Sequence, residues 1–96
     1  MKHMLFFGFG YSAAALAKRL DRSQWRITAT SRSTAGADHI RALGHDALVF
    51  DQHEDIPDGV THIVSSVPPD AGGDPVLRRY GNSLVRQVRR TVWVAY

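Results

Sequence analysis

Gly8, Gly10 and Ala13 form a G-x-G-x-x-A pattern between an apolar run, Met4-Leu5-Phe6-Phe7, and an alanine-rich stretch, Ala14-Ala15-Leu16-Ala17-Lys18-Arg19-Leu20. Glycine at the first position permits a tight turn, glycine at the second lets an anion approach bare backbone, and alanine at the third lets a helix pack closely on a strand. The chemistry this spacing suits is diphosphate binding. The turn from Gly8 through Phe9, Gly10, Tyr11 and Ser12 would present free N–H groups and the positive end of a helix dipole to the ligand. The alternative is a plain strand-to-helix loop shaped by its glycines. What favours the cradle is context, because strand, turn and helix follow one another without a spacer.

Three further groups stand where such a crevice would open. Ser31, Arg32 and Ser33 follow about twenty residues after Gly10, where a site selective for NAD presents a carboxylate to the ribose hydroxyls. No acid is there. A guanidinium flanked by hydroxyls suits a 2′-phosphate instead, which favours NADP over NAD, against the alternative of a solvent-facing arginine beside a helix cap. Asp51 would accept a hydrogen bond from an adenine amino group or, equally in keeping with its type, cap a local turn. Ser65, Ser66 and Val67 precede a Pro-Pro pair, so they either let the backbone approach the ribose and nicotinamide half or simply form a proline-directed turn.

Other chemistries find little support. His3, His39, His45, His53 and His62 show no His-x3-His spacing, and with no cysteine in the chain no metal site is expected. Ser12 lies in G-Y-S-A, outside a G-x-S-x-G nucleophile elbow. Glu54, Asp55 and Asp58 read as solvated loop acids rather than an acid/base pair. Neither Tyr11 nor Tyr80 has a lysine four residues later, and the only lysines are Lys2 and Lys18, so no catalytic residue is assigned.

Strands and helices alternate along the chain. Strands are expected at Lys2 to Phe7, Arg26 to Thr30, Ala47 to Phe50, Val60 to Ser65 and Thr91 to Ala95. Helices are expected from Ser12 to Asp21, from a Ser33 or Thr34 cap to about Leu43 with Gly44 as the stop, and from Asp74 or Pro75 to about Arg90. Between Gln52 and Gly59 a short helix or a loop is expected, because Pro57 interrupts a polar stretch. The fold class is therefore α/β, a Rossmann-type doubly wound parallel sheet of about five strands in the order 3-2-1-4-5, with ligands at the carboxyl edge of the strands.

Ninety-six residues, 44% of them hydrophobic and 22% charged, make one small globular domain. The lack of cysteine fits a reducing compartment, and the four-residue apolar run near the start is too short for a signal core or a membrane span, so a cytoplasmic location is expected. The net charge of +3 invites a nucleic-acid reading, with ten of the twelve cations being arginine. Five of those fall at Arg78, Arg79, Arg86, Arg89 and Arg90. On a helix, Arg79, Arg86 and Arg90 lie opposite a Leu77, Leu84 and Val88 stripe, which reads as a solvated outer face over a sheet. Without interleaved aromatics or a reader motif, nucleic acid is the weakest partner class.

Taken together, Leu5-Phe6-Phe7-Gly8-Phe9-Gly10-Tyr11-Ser12-Ala13, Thr30-Ser31-Arg32-Ser33, Val49-Phe50-Asp51 and Val64-Ser65-Ser66-Val67-Pro68-Pro69-Asp70 resemble the N-terminal half of bacterial NAD(P)-dependent epimerase/dehydratase-like proteins. These belong to the extended or atypical short-chain dehydrogenase/reductase superfamily. The turn here is G-x-G-x-x-A, whereas the superfamily more often has G-x-x-G-x-x-G. The resemblance implies phosphate contacts at Gly8, Gly10, Tyr11 and Ser12, adenosine contacts at Ser31, Arg32 and Asp51, and ribose-side contacts at Ser65 to Val67. It also implies a catalytic serine or threonine after the fifth strand and a later Tyr-x-x-x-Lys pair, neither of which this chain contains.

The expected function is thus the NAD(P)-binding portion of an oxidoreductase or sugar-nucleotide-epimerase-like protein, positioning NADP, or NAD, for hydride transfer. The chain is expected to be truncated after strand five and inactive by itself, its apolar fifth strand covered by a missing C-terminal portion or by a partner. A non-enzymatic NADP-sensing module is the alternative, and a basic nucleic-acid-binding domain the more remote one.

Overall fold

The computed structural model describes residues 2–52, 55–57, 59–67, 73, 75–87 and 92–95, with side-chain detail to residue 83. Strand β1 (Lys2–Phe7) leads into helix α1 (Tyr11–Arg19), strand β2 (Trp25–Ser31), helix α2 (Thr34–Ala42) and strand β3 (Asp46–Val49). A single 3-10 turn, Phe50–Gln52, and a connecting segment precede strand β4 (His62–Ser65) and helix α3 (Pro75–Gln87). The strands run parallel in the order β3-β2-β1-β4, and Val92–Ala95 lies parallel beside β4 as β5, with His62 opposite Val92 and Ser65 opposite Ala95.

β1 occupies the middle of the sheet because it is apolar on both sides, as a strand covered on two faces must be. Met4 and Phe6 pack with Ala13 and Ala17 of α1 and with Ala37 and Ile40 of α2. Leu5 and Phe7 point the other way, onto Val76 and Tyr80 of α3 and onto Ile56 and Val60. The segment between β3 and β4 thus does a helix's work with two side chains. The buried Ile56 N–H of this segment donates to the buried Ser83 hydroxyl at 2.9 Å.

Several boundaries differ from expectation for identifiable reasons. α1 ends at Arg19 rather than Asp21 because Asp21 folds into a turn of its own, its carboxylate accepting from the Ser23 N–H at 2.9 Å and the Ser23 hydroxyl at 2.7 Å. β3 stops before Phe50, whose carbonyl accepts from the Tyr80 hydroxyl at 2.7 Å instead of continuing the ladder. β4 begins at His62, with Val60 serving as a core plug and Thr61 donating its N–H to the His3 carbonyl. Among the α3 residues with described side chains Val76, Tyr80 and Ser83 are buried, so the expectation of an inward stripe is corrected at Leu77, which is 55% exposed; the side chains of Leu84 and Val88 lie outside the described residues. The expected ends of this helix at 88–90, and Thr91 of the last strand, lie outside the described residues.

His3 is buried on the α3 side of β1, its Nε2 2.7 Å from the Thr28 hydroxyl. Burial, reinforced by the Arg26 cation and opposed by the Asp46 carboxylate, pushes its pKa below the ordinary 6.5. Burial, then the Arg22 cation, does the same at His45, again opposed by Asp46. The folded chain therefore binds fewer protons than the unfolded chain at mildly acid pH. This contribution to stability is fully present above about pH 6.5 and is lost as pH falls below it. Urea midpoints are expected to drop between about pH 7.5 and about pH 5, and His3→Gln to reduce that drop while the His45 contribution remains. A pH-independent wild-type midpoint over that window would contradict the assignment.

Candidate functional site

The carboxyl ends of the four central strands open onto a crevice of about 590 Å³ between α1, α2 and α3. Its floor is the turn after β1. Gly8 adopts φ +86, a conformation that side chains disfavour, and a Cβ there would lie 2.9 Å from the Ser66 hydroxyl. Its N–H is not free for a ligand, because it donates to the Thr30 hydroxyl at 2.9 Å. Gly8 is accordingly glycine for reasons internal to the fold.

Gly10 differs. It caps α1 with φ −80, a value any residue adopts, and a Cβ added to it would meet nothing within 4 Å among the described residues. No side chain caps this helix start, so the N–H groups of its first turn face outward at the positive end of the dipole. Neither backbone strain nor packing explains the glycine, and the open space lies on the crevice.

Of the residues singled out from the sequence, the structure brings Gly8, Phe9, Gly10, Ser31, Arg32, Asp51 and Val67 to the crevice wall. Phe9 also turns its ring edge-on to Phe6 and to His45, which anchors the turn to the core. The side chains of Tyr11 and Ser12 are exposed and stand outside the crevice, Tyr11 being 94% exposed, so only their backbone lies at the helix start. Ser33 is the α2 cap, accepting from the Gly36 N–H at 3.0 Å. Ser65 is a buried strand residue paired with Phe7. Ser66 ties the ends of β1 and β4 together, its N–H donating to the Phe7 carbonyl at 3.0 Å and its hydroxyl to the same oxygen at 3.3 Å.

The arginines of the first three strand-helix units are unevenly committed. Arg26 is paired with Asp46, Arg41 with Asp38 and the Ala47 carbonyl, and Arg22 with the carbonyls of Leu43 and Gly44. Arg32, exposed on the crevice rim, has no such partner among the described residues. Asp51 is held from behind, with Arg79 donating to its backbone carbonyl and Tyr80 to that of Phe50. Its carboxylate makes no hydrogen bond to backbone among the described residues, so the local-cap alternative is not realised there. Burial raises the Tyr80 pKa, in keeping with a phenol that stays protonated and donates.

Thr30, Gly36, His39, Ile40, Phe50, Pro75 and Arg78 also line the crevice and were not anticipated. Thr30 and Gly36 carried a signal, standing beside Ser31 and just after a helix cap. A Cβ on Gly36 would fall 2.0 Å from the Ser31 hydroxyl oxygen and 3.1 Å from its Cβ, so this glycine gives Ser31 its place. Arg78 carried none, because only the docking of α3 brings it here. Among the described residues no group of His, Cys, Asp or Glu could hold a metal ion, and no helix is long and apolar enough to cross a membrane.

These elements define an α/β protein with a parallel sheet in the Rossmann-like order 3-2-1-4 and a crevice at the strands' carboxyl edge. The solved structure of a functionally unknown conserved protein from Silicibacter pomeroyi DSS is similar, with a TM-score of 0.85 and 39% identity over 98% of this chain. The match covers 34% of that protein, so this chain spans about a third of its length. No family model and no curated protein matches the chain.

Proposed function

We propose that this chain is a dinucleotide-binding Rossmann unit that prefers NADP, serving as the cofactor-positioning part of an oxidoreductase or epimerase-like protein. The observation that carries the reading is Gly10: a glycine with no conformational or packing need for one, at an uncapped helix start, beside a crevice of nucleotide-binding size. The α1 N–H groups would hold the diphosphate, Arg32 and Ser31 the 2′-phosphate, and Asp51 the adenine amino group. Val67 would border the ribose, with Ser66 supporting it from the backbone side. The nicotinamide, when bound, supplies or accepts the hydride, and the residues of this chain orient it.

Titration with NADPH and NADH followed by nicotinamide fluorescence tests the reading. Wild type is expected to bind NADPH more tightly than NADH. Arg32→Ala is expected to lose about 1.5–3 kcal/mol of NADPH affinity, the worth of a hydrogen bond to a charged group, with NADH little changed. Equal loss for both cofactors would remove Arg32 from the 2′-phosphate, and no binding of either would remove the dinucleotide reading.

A further inference from the structure

We infer that Arg78 is the second anion-binding residue of this crevice, holding the diphosphate of a bound nucleotide from the α3 side of the sheet while Arg32 acts from the α2 side. The inference rests on the dinucleotide reading above and assigns a residue that the strand-end turns do not contain.

The two arginines come from opposite faces of the sheet. α2 packs Ala37 and Ile40 against Met4 and Phe6, whereas α3 packs Val76 and Tyr80 against Leu5 and Phe7. Alternation along β1 puts those two sets on opposite sides. Arg32 and Arg78 nevertheless border one crevice, with the Gly8–Gly10 turn on its wall as well. A ligand anchored at Gly10 is therefore flanked by one arginine from each face of the sheet.

Charge supports the same assignment. Asp51 is the only carboxylate on the crevice wall among the described residues, against Arg32 and Arg78, so the lining favours an anion. Arg78 also stands in the first turns of α3, next to Arg79, where a cation opposes the helix dipole. Arg79 is turned onto the Asp51 carbonyl and secures the wall. Arg78 is exposed and lines the crevice. A guanidinium suits a diphosphate because its donors pair with two oxygens at once.

The test compares Arg78→Gln with wild type using adenosine, ADP and NADPH, with thermal melts confirming that the exposed substitution leaves the fold intact. Arg78→Gln is expected to weaken ADP and NADPH by roughly tenfold or more while leaving adenosine unchanged. Arg78→Lys is expected to recover part of the loss, because the charge remains and the bidentate geometry does not. Wild-type affinity of Arg78→Gln for ADP and NADPH would overturn the inference, as would an equal loss for adenosine. If Arg32→Ala discriminates NADPH from NADH while Arg78→Gln has no effect, the inference fails and the dinucleotide reading stands. If wild type binds neither ADP nor NADPH, both fail.

Discussion

Gly10→Val is expected to abolish NADPH binding while leaving the chain folded. A β-carbon at this position meets nothing within 4 Å among the described residues, so the branched side chain is expected to extend into the space assigned to the diphosphate. Displacing that group forfeits at least two charge-assisted hydrogen bonds from the α1 N–H groups, about 3–6 kcal/mol or about 100- to 10,000-fold in affinity. The cost to the fold is small by comparison. The backbone at φ −80 accepts valine, and replacing glycine at a helix cap by a non-capping residue costs on the order of 1 kcal/mol. That corresponds to a fall of roughly 4–8 °C in melting temperature for a domain of this size. Isothermal titration alongside thermal melts separates the two effects, and a folded Gly10→Val that binds NADPH as wild type does would mean that the diphosphate does not lie here.

The largest effect on stability is expected at Tyr80. Its ring is fully buried, 5.0 Å from that of Phe7 and 5.2 Å from that of Phe50, and its hydroxyl donates to the Phe50 carbonyl. Tyr80→Ala removes the ring and leaves a cavity between α3 and the sheet, a loss of about 3–5 kcal/mol. That is a large share of the roughly 5–15 kcal/mol that stabilises a typical domain, and the urea midpoint should fall accordingly. Tyr80→Phe keeps the packing and removes only the hydroxyl, so about 1–3 kcal/mol is lost as the Phe50 carbonyl is left unpaired. Because that carbonyl starts the turn carrying Asp51, Tyr80→Phe is also expected to weaken adenosine binding. Unchanged stability in Tyr80→Phe would show that the phenol does not support the turn.

Tyr80 also marks where reading the chain residue by residue stops working. Its spacing from potential lysines was informative about catalysis, yet nothing nearby in sequence indicates that its partner lies thirty positions earlier. The phase of α3 shows the same limit. Hydrophobicity alone favours turning Leu77 inward, yet Leu77 is exposed and the face carrying Val76, Tyr80 and Ser83 is the buried one. That face is buried because Ile56 and Val60 fill the sheet face beside it and because the Ile56 N–H requires the Ser83 hydroxyl. Arg78 reaches the crevice as a consequence of that phase.

The β1–turn–α1 unit was legible for the opposite reason, since every interaction that defines it is short in range. The apolar run, the positive φ of Gly8, the unobstructed Gly10 and the small Ala13 and Ala17 against the sheet are separated by only a few residues. The order of the central strands followed from the alternation of strand and helix and the handedness of the crossovers between them. Ser31 and Arg32 lie on the crevice wall, whereas Ser33 is taken up in capping α2 and Ser66 in bridging β1 to β4, commitments that strand-end position does not reveal.

Local chain chemistry therefore determined the glycine turn, the parallel α/β plan and the position of Arg32. Tertiary packing alone decided which face of α3 is buried, how Asp51 is held and that a second arginine shares the crevice, because those outcomes depend on contacts between segments far apart in sequence, which no local pattern of residue types encodes.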